Sequence, residues 1–458
     1  MNTAYDVVIV GAGTCGTYFA KRMADAGFSV LVIDKTPEAD LGKRLDIFHI
    51  DEELFERFGV PRPKAGDEDY VTLFEYGITM SGYGRYPKRT DYPFLVMQLP
   101  LFMKRLVKWA RENKVEYSFE TEFNDFIFDD KGRISGVRVT KDGVQSEISA
   151  RLVADCSGIP SVARRKLPDG YGVPNFEITP RDQFYVILRY VTLENPERDR
   201  AVTSTGYPFY KTWVAPQLDP NGAIIGVGAN LSYEFAEKCY QQFAKDIELP
   251  PHTLDRIQKG STPYRRPPAS FVADGFVALG DCACMTKPFS GEGITSAWVL
   301  CDIAAKNIPA AMKDGKYPTR KAMWKVNSDY MHTQGADFAE LMATLIGGVD
   351  FSREENDYMF KKDIAFSSDI MTKMNRNFAN TMSVGESLKT GVNAIGGVLS
   401  GKLKLSSLLN FLKMMGYAGK LKNIYRAYPD TPDGYDEWVR VSEEVWAKVG
   451  TMADVCRL

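Results

Sequence analysis

The chain has 458 residues, of which 44% are hydrophobic and 25% charged, and a formal net charge of −2. This is the balance of an ordinary globular protein with room for two or three units around sizeable cores, and its net charge gives no global pull towards nucleic acid, which is not an expected partner. No charge-free stretch reaches the roughly 18–20 residues of a spanning helix, and no basic leader precedes the first apolar run, so the expectation is a cytoplasmic protein that meets a membrane only at its surface.

The first predicted element is an apolar strand, Val7 to Val10, that runs straight into Gly11-Ala12-Gly13-Thr14-Cys15-Gly16. In a Gly-x-Gly-x-x-Gly turn the first glycine makes the tight bend. The second lets backbone approach a pyrophosphate, and the third lets the next helix pack closely on the strand. The helix, predicted from Thr17 to Ala26, offers its N-terminal N–H groups and dipole to that anion. A second strand, Phe28 to Ile33, ends in Asp34-Lys35. An acidic residue about 20 positions beyond the glycines grips the ribose hydroxyls of a dinucleotide. A bare glycine turn has no such meaning; the strand, helix and acidic residue around it select the dinucleotide reading. Lys43-Arg44, further on, suits either the phosphates and ribose or solvent.

His49 lies on the apolar stretch Ile47-Phe48-His49-Ile50, which suits a structural histidine as well as a proton donor. Gln98 to Lys114 reads as an amphipathic helix, with Leu99, Phe102, Leu106 and Trp109 at helical spacing. Phe119 to Ile148 reads as alternating strands with a turn at Asp129-Asp130-Lys131-Gly132. Next, Leu152-Val153-Ala154-Asp155-Cys156-Ser157-Gly158 is a strand entering a turn that carries Ser161 and Arg164. The stretches 66–97 and 176–269 are rich in Tyr, Phe and Pro with β-type runs, among them Phe184 to Leu193 and Gly222 to Leu231.

A second nucleotide signal begins at Asp274: the strand Phe276-Val277-Ala278-Leu279, then Gly280-Asp281, then Pro288-Phe289-Ser290-Gly291-Glu292-Gly293-Ile294 opening a helix. Asp281 is placed to accept hydrogen bonds from a ribityl hydroxyl. The helix near Gly291 aims its dipole at the edge of a flavin that turns negative on reduction, and Pro288 stiffens the loop beside the ring. From about 311 the chain is mostly helical. Between Ser387 and Pro429 it carries seven basic residues and no acidic ones, interleaved with leucine, phenylalanine and methionine. Such a segment suits an anionic lipid surface, or else the solvated face of a helical cap. Seven cysteines without regular spacing and three unpaired histidines predict neither a disulfide framework nor a metal site.

Taken together, Gly11 to Gly16, Asp155 to Arg164 and Gly280 to Ile294 resemble the FAD fingerprints of the flavoprotein family that holds aromatic hydroxylases, flavin halogenases and geranylgeranyl reductases. The resemblance implies an α/β fold: a Rossmann-type FAD-binding domain with an inserted β-sheet substrate domain and a helical C-terminal region. The expected pieces are 1–65, 98–175 and 270–310 for FAD, 66–97 and 176–269 for the substrate sheet, and 311–458 for the helical domain. Gln98 falls where relatives place a polar contact to FAD, and Cys15 lies near the cofactor by motif position, where small residues serve compact packing.

Within that family, Tyr207-Pro208-Phe209-Tyr210-Lys211-Thr212-Trp213-Val214-Ala215-Pro216 and Gly226-Val227-Gly228 resemble the Tyr-x-Trp-x-Phe-Pro…Gly-x-Gly signature of geranylgeranyl reductases. Trp213, Pro216, Gly226 and Gly228 match and are implied to line the substrate cavity, although a tryptophan in a strand also suits plain sheet packing. Lys211 and Ala215 depart from the pattern, and the reductases' Cys-Gly after the second strand is missing. The implied activity is hydride transfer from reduced flavin N5 to C=C bonds of a prenyl or other apolar lipid-like substrate, with Tyr207, Tyr210 and His49 as candidate proton donors. Electrons would come from NAD(P)H, ferredoxin or a flavin reductase; no second glycine fingerprint marks a nicotinamide domain. The alternatives are an FAD monooxygenase or halogenase acting on an aromatic or polyketide, and a non-catalytic prenyl-chain carrier.

Overall fold

The strand Ala4–Val10 is the inner strand of an eight-stranded sheet, and its apolar run is buried on both faces. It pairs in parallel with Val30–Ile33 on one side and with Val144–Asp155 on the other, with Val8 level with Leu31 and Val153. Phe276–Ala278 and Glu116–Ser118 extend this parallel core, while Thr121–Phe128 and Ile134–Lys141 hang from Val144–Asp155 as an antiparallel flap. Parallel strands joined by helical crossovers are covered on both faces, hence the near-continuous Val/Ile/Leu runs. This computed structural model describes residues 4–43, 45, 47–91, 93–195, 202–207, 210–377 and 382–456.

Helix Thr14–Asp25 starts three residues earlier than its apolar periodicity predicts, because Gly13 takes the N-cap. It packs on Ile294–Met312, where Tyr18 stacks on Trp298 with ring centroids 5.2 Å apart. Gln98 is the N-cap of Leu99–Arg111, whose Phe102 and Leu106 are buried.

The second sheet has seven strands in the order His252–Pro263, Gln183–Leu193, Gly222–Asn230, Tyr210–Pro216, Val202–Tyr207, Gly77–Met80 and Lys88–Thr90. One face is covered by Tyr233–Asp246, through Phe243 against Val191, Val214 and Ile225. That helix interrupts a region whose composition reads as β. Its start is set by Ser232, whose hydroxyl accepts from the Phe235 N–H at 3.1 Å. The sheet's other face looks across a cavity towards the first sheet. Ile47–Asp51, Phe94–Gln98 and Tyr70–Phe74 form a small third sheet between them.

From Lys325 onward the described chain is mainly helical. The basic, leucine-rich segment is two helices, Val384–Leu399 and Leu405–Arg426. The second packs on Ala336–Gly348 so closely that a Cβ on Gly347 would lie 2.5 Å from Met414. No helix among the described residues is long and apolar enough to cross a membrane.

Candidate functional site

At the end of Ala4–Val10 each glycine answers a different steric demand. Gly11 has φ +110°, and a Cβ there would come within 2.4 Å of the Cys156 carbonyl oxygen. A Cβ on Gly16 would come within 1.9 Å of the Gly11 carbonyl oxygen. Of the three, Gly13 faces open space, with nothing among the described residues within 4 Å of its Cβ position, and it lines the cavity. The helix it caps has no side-chain cap and no acidic residue in its first turn, so the end is electropositive and open to an anion. Asp34 ties the strand end to the turn: its carboxylate accepts from the Ala12 N–H at 2.7 Å and the Thr36 N–H at 2.8 Å. Asp34, the exposed Lys35 and the half-buried Gln98 sit outside the cavity wall. Arg44 lies outside the described residues, and Lys43 pairs with Asp40.

The cavity, about 770 Å3, runs from Gly13 and Cys15 past Gly280-Asp281 and the loop Pro288 to Ile294, then along the seven-stranded sheet into the C-terminal helices. The helix after that loop, Ile294–Met312, begins three residues later than Gly291 and again lacks a side-chain cap. In the loop, the Ser290 hydroxyl is buried without a hydrogen-bond partner among the described residues. The far arm is apolar, walled by Phe351, Met359, Phe360, Phe366 and Phe411.

Along Tyr210–Pro216 the pleat turns Lys211, Trp213 and Ala215 to the cavity, and Tyr210 and Pro216 also touch it. Gly226 and Gly228 do not line it. They make room for rings instead: a Cβ on Gly226 would lie 2.0 Å from the Trp213 indole, and one on Gly228 2.2 Å from the Phe184 ring. The Tyr207 side chain lies outside what the structure describes.

A charged cluster gathers at the junction of the small sheet and the 288–294 loop. His49 Nε2 lies 3.0 Å from a Glu292 carboxylate oxygen, and Lys287, buried, lies 3.7 Å from the other. Burial alone would raise the Glu292 carboxyl, but Lys287, His49 and Lys211 outweigh it and hold the group well below the usual carboxylate range. Asp51, two residues along the same strand face as His49, does not cap the helix it precedes. Burial and the negative charge of Glu292 push it up to about 7. The sequence pattern carries no signal for Asp51 or Lys287 and holds Ser290 and Glu292 only within the 288–294 motif; their tertiary neighbours reveal them. Cys15 also lines the cavity, its sulfur 3.2 Å from that of Cys301 and 3.9 Å from that of Cys156.

Two uncapped helix starts, an open Gly13 and an orphaned Ser290 hydroxyl along one cleft are what a phosphate-bearing ring cofactor would occupy. Residues 4–205 match the family described as FAD binding domain. The chain is 23% identical to the digeranylgeranylglycerophospholipid reductase of Sulfolobus acidocaldarius, over 96% of this chain and 97% of that one. Among solved structures it resembles a geranylgeranyl bacteriochlorophyll reductase-like protein from Thermoplasma acidophilum (TM-score 0.69, 17% identity, 84% of this chain and 95% of that one). It also resembles the flavin-dependent brominase Bmp2 (TM-score 0.61, 18% identity, 87% of this chain and 100% of that one).

Proposed function

We propose that this chain, whose residues 4–205 match the FAD-binding domain family, is an FAD-dependent oxidoreductase that reduces C=C bonds in a prenyl or other lipid-like substrate. The observation that carries this reading is the apolar arm of the cavity, which continues from the 288–294 loop into the C-terminal helices. It would house a hydrocarbon chain, and the end-to-end likeness to a prenyl-lipid reductase agrees with it.

FAD, when bound, supplies the redox chemistry. The turn Gly11 to Gly16 would hold its pyrophosphate and Asp34 its ribose. Gly280-Asp281 would take the ribityl chain, and Pro288 to Ile294 the ring. Trp213 and Pro216 flank the substrate and exclude water. The proton for the second carbon resides at this end of the cavity. Asp51 keeps its carboxyl protonated up to about pH 7, and His49 is oriented by Glu292. Tyr210, buried in the wall, is the third candidate.

Substrate delivery would occur at a lipid surface. Leu388, Val392, Ile395 and Leu399 form an exposed stripe on Val384–Leu399, and Leu405, Leu409 and Leu412 are exposed on Leu405–Arg426. Lys402, Lys404, Lys413, Lys420 and Arg426 are exposed nearby. Lys389 and Lys422, by contrast, are paired with Asp363 and with Asp337 and Glu340.

The deciding experiment photoreduces the FAD-loaded protein without oxygen and adds a geranylgeranylated lipid. Flavin reoxidation with a product heavier by two hydrogens per bond is expected. A flavin that stays reduced until air enters, then passes through a hydroperoxide-like absorbance, would instead establish oxygenase or halogenase chemistry.

A further inference from the structure

We infer that the sheet wall of the cavity is a binding site for the compact anionic head, carboxylate or monophosphate, of a long-chain amphiphile, with Lys211 as the residue that selects it. The inference deepens the lipid-like substrate class and rests on that reading for the identity of the tail.

Lys211 sits on the cavity face of Tyr210–Pro216, directly opposite Gly206 on one neighbouring strand and Gly228 on the other. The Phe184 ring fills the place beside Gly228, while among the described residues nothing lies within 4 Å of a Cβ on Gly206, which lines the cavity. The ammonium therefore has an aromatic wall on one side and open space on the other, with Ser204 also on that open stretch of wall. Ordinary strand packing would put an aliphatic or aromatic side chain here.

The charges of the cavity do not balance around it. Glu292 is the carboxylate that acts most on Lys211, but it is beyond ion-pair distance and already held by Lys287 and His49. Asp281 lies against Gly293, 3.4 Å from its Cβ position. Among the described residues no hydrogen bond or ion pair reaches Lys211. Burial pushes its ammonium down and the neighbouring Lys287 adds to this, while Glu292 acts the other way from beyond contact, so a nearby oxyanion would favour the charged form. An ammonium left without a partner in a largely apolar cavity is costly, and an entering oxyanion offsets that cost. The aromatic arm around Phe360 and Phe411 leads away from this point and would accept the tail.

The test measures dissociation constants of the FAD-loaded full chain for dodecanoate, dodecyl phosphate, dodecanol and dodecylammonium by titration calorimetry. The two anions are expected to bind at least about tenfold more tightly than the alcohol, a difference of roughly 1.4 kcal/mol, and their ranking says which head fits. In K211M the preference should collapse towards unity with dodecanol binding retained, and K211R should restore it. Equal binding of acid and alcohol by the unaltered protein, or a preference untouched in K211M, would overturn the inference. The probes are saturated, so the outcome is independent of C=C reduction. Anion selectivity without any flavin reoxidation by prenyl lipids would sustain the head site and remove the reductase reading. Equal turnover of prenyl acids and alcohols at equal KM would do the reverse.

Discussion

Gly11 and Gly13, two residues apart, carry opposite consequences for a methyl group. Alanine at 11 must adopt φ +110° and drive its Cβ to 2.4 Å from a backbone carbonyl oxygen, so the fold itself pays. A loss of about 1–3 kcal/mol is expected, read as a lower Tm of the apoprotein. Alanine at 13 meets nothing within 4 Å, so G13A should keep the apoprotein Tm while weakening FAD at least about tenfold, because the methyl stands where backbone must approach the pyrophosphate. Retained FAD affinity in G13A would place the cofactor elsewhere. Asp51 makes a prediction in pH. Its folded carboxyl titrates near 7, against about 4 in an unfolded chain. Between those values the folded state holds a proton that the unfolded state has released, so stability falls as pH rises through this window and levels off above it. D51N neither gains nor loses that proton. Its Tm relative to the parent should climb from about pH 4 to 7, and a pH-independent offset would contradict the assignment.

The elements that diverge from their sequence patterns do so for local reasons. Helix Leu99–Arg111 is legible because its apolar residues keep one face buried. The basic segment after Ser387 is legible as charge and leucine but not as geometry. Met414, Ala418, Leu421 and Tyr425 are buried, whereas Leu405, Leu409 and Leu412 are exposed. One helix thus serves the core with its second half and solvent or lipid with its first. Leu399 is 84% exposed and Val392 67%, so V392E/L399E should leave Tm unchanged. The pair should lower co-sedimentation with phosphatidylserine vesicles about tenfold or more, since each substitution removes on the order of 1.5–3 kcal/mol of apolar burial and adds repulsion. Unchanged vesicle binding would assign the stripe to another partner.

Across the whole molecule, one cavity is assembled from segments that are far apart in the chain: the turn after the first strand, the loop 288–294, the strand Tyr210–Pro216 and the C-terminal helices. The phosphate turn, the Gly280-Asp281 loop and the family they mark were legible in the sequence, because glycine sterics and helix starts are properties of consecutive residues. So were Trp213 as a match to the reductase pattern and Lys211 as a departure from it, and the two-residue period of a strand puts them on one face. What only the tertiary structure decided is who meets whom. Gly226 and Gly228 give way to rings contributed by Trp213 and Phe184. His49 is drawn from an apolar stretch to Glu292, 243 residues away. Asp51 becomes a proton holder through the charge and burial it finds in the folded chain. Lys211 makes no ion pair among the described residues, because Glu292, the carboxylate that acts most on it, is engaged by Lys287 and His49. Spacing along a chain encodes backbone shape, but electrostatics and close packing depend on distances that exist only after folding.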